Sequence, residues 1–146
     1  MIADTIKSQL VEALKAKDKD MLIVLRMLST ELHNKEIDKK GSLTNEEEIA
    51  VVRAQAKMRR DAIEAYDKAN AKDKADAERR ELEILKGLMP AEMGDDELVK
   101  IVDGAIIETN ASSVADIGKV IGLVMKKSNG KASGARVSEV VKSKLQ

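Results

Sequence analysis

The chain has 146 residues, 36% of them charged, and its 26 basic and 26 acidic side chains give a formal net charge of zero. It has no cysteine, phenylalanine or tryptophan, and Tyr66 is its single aromatic residue. This composition excludes disulfides, thiolate nucleophiles and Cys-ligated metals, and it removes the aromatic platforms on which single-strand binders stack bases. The core must be built from Leu, Ile, Val, Met and Ala, which suits helices packed on helices. No apolar run approaches membrane-spanning length, and the opening MIADTIKSQL has no signal-like apolar core. The expectation is a soluble cytoplasmic protein of one domain or two small ones, with no membrane contact.

In chain order, a first helix is expected from Asp4, as N-cap, to Lys17, with Ile2, Ile6, Leu10, Ala13 and Leu14 on one face. The charged run KAKDKD marks a turn. A second helix, at about residues 19–38, carries Met21, Val24, Leu25, Leu28 and Leu32 as its apolar stripe. Lys39-Lys40-Gly41-Ser42 ends it, with basic residues in the last turn and then a glycine. Thr44 and Glu47 form a capping box for a third helix that runs to about Asn70, with Ile49, Val52, Ala56 and Ile63 facing inward. A polar break separates it from a fourth helix at about residues 75–88, so the long helices read as hairpins.

Pro90 sits between glycines in GLMPAEMG and marks the best domain boundary, because Met89 before it is disfavoured in a helical conformation. Three shorter helices follow, at about residues 95–109, 113–127 and 133–145. Ser113 with Asp116 makes an approximate capping box, and Ser133 is an N-cap behind Gly130. Gly118 and Gly122 lie four apart beside an apolar stripe and suggest a close helix crossing. No alternating strand pattern occurs. The fold class is therefore all-α, with a helical-hairpin N-terminal domain (1–90) and a small three-helix C-terminal domain (91–146).

Charge is segregated along the second half. Residues 119–146 hold seven bases (Lys119, Lys126, Lys127, Lys131, Arg136, Lys142 and Lys144) against one acid, Glu139; residues 88–118 hold seven acids against Lys100. A basic helix-loop-helix end points towards an anionic partner. The plainer alternative is that the two halves neutralise each other in the fold. The loop GKASG lacks the preceding strand and the GK[ST] ending of a phosphate-binding P-loop. Its glycines, Lys131 and the following helix start still offer a phosphate contact, against the alternative of a simple helix-helix turn. Lys119, Lys126, Lys127, Gly130, Lys131 and Arg136 are the candidate binding residues. A second basic ridge, Arg53, Lys57 and Arg60, is either another anionic contact surface or an intrahelical ion-pair row.

Catalysis has little support. His33 is the only histidine and reads as a packing or surface residue. Glu46-Glu47-Glu48 and Asp95-Asp96-Glu97 fall in first helical turns, where acids favour the helix dipole. No catalytic residue, metal ligand or cofactor is expected.

The segments KAKDKDMLIVLRMLSTELHNKEI, KMRRDAIEAYDKAN, the LMP turn and DIGKVIGLVMKKSNGKASGARVSEVVKSKL resemble the YqeY family over essentially the whole chain. Their most specific part, GKVxGxVM followed by GKAxG and VxxxVKxxL, is similar to the tail domain of the B subunit of tRNA-dependent amidotransferase. The resemblance implies a helical N-terminal domain, a three-helix tail, and tRNA contact by that tail. Where the family loop often carries an acid before its second glycine, this chain has Ser133, which leaves the loop less negative. The amidotransferase catalytic body has no counterpart here.

Three readings remain. The leading one is a non-catalytic accessory protein binding tRNA or another folded RNA, by backbone charge and shape, with no DNA expected. The second is a module docking on a translation or tRNA-modifying protein. The third is an auxiliary component of amidotransferase chemistry with glutamine as amide donor.

Overall fold

The computed structural model describes residues 1–146, and the fold is all-α: seven α-helices, one short 3₁₀ turn and no strand. The helices are α1 (Ile2–Ala16), α2 (Lys19–Lys39), α3 (Asn45–Lys68), α4 (Lys72–Leu88), α5 (Asp95–Thr109), α6 (Ile117–Lys127) and α7 (Gly134–Leu145). The chain forms two compact units, Met1–Met89 and Pro90–Gln146.

In the first unit α1, α2, α3 and α4 pack around Ile6, Val24, Leu25, Leu28, Val52 and Leu85, all fully or almost fully buried. Each such side chain contributes roughly 1.5–3 kcal/mol relative to exposure. Their spacing along α2 (24, 25, 28, 32) is the helical stripe visible in the sequence. In the second unit α5, α6 and α7 enclose Leu98, Val102, Val120, Val124, Val137 and Val141, all fully buried. Each unit therefore has its own core.

Helix ends follow local chemistry. Thr44 Oγ1 accepts from Glu47 N at 3.2 Å, and Glu47 Oε2 accepts from Thr44 N at 2.7 Å, which completes the capping box of α3. Asp18 Oδ1 accepts from Met21 N at 3.1 Å and starts α2. Met89 before Pro90 is extended, with ψ 147°, and α4 ends there.

Four local expectations need correction. The N-cap of α1 is Met1, and Asp4 lies inside its first turn, because a side chain of α3, Glu48, accepts the free Ala3 N–H. The left-handed residue closing α2 is Lys40 (φ 60°), with Gly41 N–H reaching Glu36 O at 3.2 Å; Gly41-Ser42 then delivers buried Leu43 to the core. Ser113 makes no capping hydrogen bond: a 3₁₀ turn, Val114–Asp116, comes first, and Asp116 Oδ2 accepts from Ser112 N at 3.1 Å. Gly118 and Gly122 serve no close crossing, since both are exposed and a Cβ on either would meet nothing within 4 Å.

Candidate functional site

The C-terminal unit brings acid and base together selectively. Arg136, in the first turn of α7, is only 27% exposed. Its Nη2 donates to Asp95 Oδ1 at 2.8 Å, its Nη1 donates to the Met93 carbonyl at 3.1 Å, and Glu92 Oε2 lies 3.6 Å from Nη1. Met93 N in turn donates to the Lys131 carbonyl at 2.9 Å. Lys127 pairs with Glu108, and Lys144 with Asp103 at 3.3 Å. Three of the seven bases are therefore matched to acids on or just before α5.

The other four are not. Lys119 and Lys126 on α6, Lys131 in the α6–α7 loop and Lys142 on α7 are exposed and form no ion pair. On α6 the exposed positions 118, 119, 122 and 126 recur at helical spacing and form one face. That face has two lysines and two glycines, so the helix backbone is accessible between the charges.

The loop between α6 and α7 is built for turning. Ser128, Gly130 and Ala132 are buried, while Asn129 and Lys131 point to solvent. Asn129 (φ 49°) and Gly130 (φ 75°) are both left-handed, and Lys131 N closes the turn on Ser128 O at 2.9 Å. Only glycine takes the second of these conformations without strain. Ser133 Oγ accepts from Arg136 N at 3.3 Å and starts α7. Of the sequence candidates here, Gly130 is inside the turn and Arg136 is held by acids. Lys127 is paired, and Lys119, Lys126 and Lys131 face outward.

The second ridge divides in the same way. Lys57 pairs with Asp61 at 3.3 Å, Arg53 is half-buried, and Arg60 is exposed with no ion pair. The cation that organises α3 is Arg59, which stands between Lys57 and Arg60 of the ridge but on a different face. Its side chain is 13% exposed, its Nε lies 2.7 Å from Glu81 Oε2 and 3.4 Å from Glu78 Oε2, and its Nη2 donates to Met27 Sδ at 2.9 Å. Val52, Ala56, Arg59 and Ile63 share the apolar face, so a lone cation in that stripe was the available signal.

Glu48, one of the three acids in the first turn of α3, does more than favour the helix dipole. It is 4% exposed, and its carboxylate serves α1. Its neighbour Glu47 is half-buried, and a hydrogen bond from Lys39, then one from Thr44, holds its carboxyl below the ordinary range. His33 is exposed, 3.9 Å from Glu36. No three His, Asp or Glu side chains converge where they could hold a metal ion.

Residues 3–145 match the YqeY-like protein family. The chain belongs to that family. A curated relative of this YqeY-like chain is altered inheritance of mitochondria protein 41, mitochondrial, from Pyrenophora tritici-repentis (strain Pt-1C-BFP). The two are 26% identical over 149 residues, covering 100% of this chain and 80% of the relative. No helix of this family member is long and apolar enough to cross a membrane.

Proposed function

We propose that this YqeY-like chain is a non-catalytic accessory protein that binds tRNA or another folded RNA through the exposed face of α6 and the adjoining loop. The observation that carries the reading is the set of four exposed, unpaired lysines, Lys119, Lys126, Lys131 and Lys142, left over when α5 has neutralised the other three bases. Exposed cations with no internal partner are available to phosphates, and binding releases counterions. Gly118 and Gly122 leave the helix surface between Lys119 and Lys126 low enough for a sugar-phosphate backbone to lie on it. With Tyr66 as its sole aromatic, and that in the first unit, the C-terminal unit has no ring on which to stack a base. Recognition then rests on folded shape and charge. The similarity of this segment to the tail of the amidotransferase B subunit points the same way.

The arginine and lysine pairs with α5 favour a second reading, docking on a translation or tRNA-modifying protein, because they reduce the field that an RNA would meet. An auxiliary place in glutamine-dependent amidotransferase chemistry would be one form of that docking. The deciding measurement is a fluorescence anisotropy titration of purified chain against unmodified tRNA at low and physiological salt. Binding that weakens steeply with salt supports the RNA reading; no binding at low salt overturns it and favours the protein partner.

A further inference from the structure

The first unit carries an unassigned groove of about 490 Å³ between the end of α2 and the first half of α3. Lys35, Asp38 and Lys39 line it from α2, and Glu47, Ala50, Val51 and Ala54 line it from α3. On a helix, residues 47, 51, 54 and 58 share one face. Met58 therefore stands one turn beyond Ala54 on that same face, and it is 56% exposed. A single helix face thus presents a flexible apolar knob next to an apolar hollow floored by small side chains.

We propose that this face is a homodimer interface in which two α3 helices pack antiparallel about a two-fold axis passing beside Ala54. Such an interface must be self-complementary, residue i meeting j and j meeting i. Here the symmetry pairs position 58, four residues after the axis, with position 50, four before it. Met58 of each copy then fills the hollow over Ala50 of the other. The same axis pairs position 61 with position 47. Each acid arrives already matched to its own lysine, Asp61 to Lys57 at 3.3 Å and Glu47 to Lys39 at 2.7 Å. Asp61 of one copy thereby comes beside Lys39 of the other, and the four side chains alternate in sign. A foreign helix would need the hollow alone and would leave the exposed Met58 unused; a second copy uses both. The contact covers about four turns, roughly 20 Å of helix. That is short of a standard interface, so association is weak and concentration-dependent. This inference is independent of the RNA reading, which concerns the other unit.

The test is sedimentation velocity of the full chain from low micromolar to submillimolar concentration. Wild type should show a reversible monomer–dimer shift. Met58→Glu should weaken association at least about tenfold by placing a charge in the apolar contact. Ala50→Met alone should weaken it similarly, because it fills the hollow that Met58 enters. The double variant Ala50→Met with Met58→Ala exchanges knob and hollow and should return association to within about threefold of wild type. Ala50 and Met58 are both exposed, so the variants keep the fold, and circular dichroism checks this. A chain monomeric throughout overturns the proposal. So does a dimer indifferent to either single change, or a double variant no better than the singles.

Discussion

Glu48 and Ala3 are joined across 45 residues of sequence: Glu48 Oε2, on α3, accepts the backbone N–H of Ala3, in the first turn of α1, at 3.2 Å. The start of α1 has no capping side chain of its own, since its N-cap is Met1. A buried carboxylate from another helix takes that role, where it also favours the positive end of the helix dipole.

Removing that carboxylate should therefore act on two helices together. Glu48→Ala leaves an unsatisfied N–H and a small void, and should cost about 1–3 kcal/mol. Glu48→Gln keeps an acceptor but loses the charge, and should cost less. Urea denaturation of both variants checks the order. Equal stability of wild type and Glu48→Ala would show that the bond contributes nothing.

Arg59 holds Glu78 and Glu81 of α4 and touches Met27 of α2, so three helices meet at one guanidinium. Arg59→Met should strand two largely buried carboxylates and destabilise the first unit by about 3 kcal/mol. Arg59→Lys should rescue only in part, because a single ammonium can stand between Glu78 and Glu81 but lacks the second nitrogen that reaches Met27 Sδ at 2.9 Å. Arg60→Met, one residue on, is exposed and should change stability by less than about 0.5 kcal/mol. Thermal unfolding of the three variants makes the comparison. Equal melting points for the Arg59 and Arg60 variants would refute it.

These two residues show where the sequence could and could not be read. The seven helices were legible because Val24, Leu25, Leu28 and Leu32 on α2, or Val137, Val141 and Leu145 on α7, repeat with the helical period. The capping box at Thr44 and Glu47 was legible because both partners lie within one turn. Glu48 and Arg59 were not, since their partners Ala3, Glu78 and Glu81 are distant in sequence; a charge standing in an apolar stripe was the only local clue. Gly118 and Gly122 misled for the converse reason. Spacing alone does not distinguish a face pressed on a neighbour from one open to solvent. The charge segregation of the second half was plain in the sequence. Which bases α5 would claim depended on the fold: Arg136 and Lys127 are paired, while Lys119 and Lys126 are not.

Glu47 supplies a pH prediction. The hydrogen bond from Lys39, then that from Thr44, lowers its folded-state pKa below the ordinary value. A lowered carboxyl pKa gives stability that is present above the unfolded value and lost as pH falls through the folded one. The local contribution should therefore fade only under acidic conditions and be constant near neutrality. An NMR titration of the Glu47 carboxyl should place its midpoint below the ordinary glutamate value. Lys39→Met should move the Glu47 midpoint upward, and no movement would refute Lys39 as the main cause.

The final prediction separates the four unpaired lysines from the three paired bases in RNA binding. Lys119, Lys126, Lys131 and Lys142 are exposed and unpaired, so neutralising them removes phosphate contacts without opening an internal ion pair. If all four reach phosphates, log K should fall with log salt at a slope of roughly −3 for wild type. Changing Lys119, Lys126 and Lys131 together to Gln should flatten the slope to about −1 and weaken tRNA binding at least tenfold, with helicity unchanged. Arg136→Gln should behave differently, since it opens the links to Asp95, Glu92 and Met93. It should lower the melting point of the second unit while leaving the salt slope nearly intact. Anisotropy titrations at several salt concentrations, with thermal melts of the same samples, read both quantities. A triple variant that keeps the wild-type slope, or an Arg136 variant that loses binding while fully folded, would move the interface away from α6 and onto the face of α7 that α5 covers.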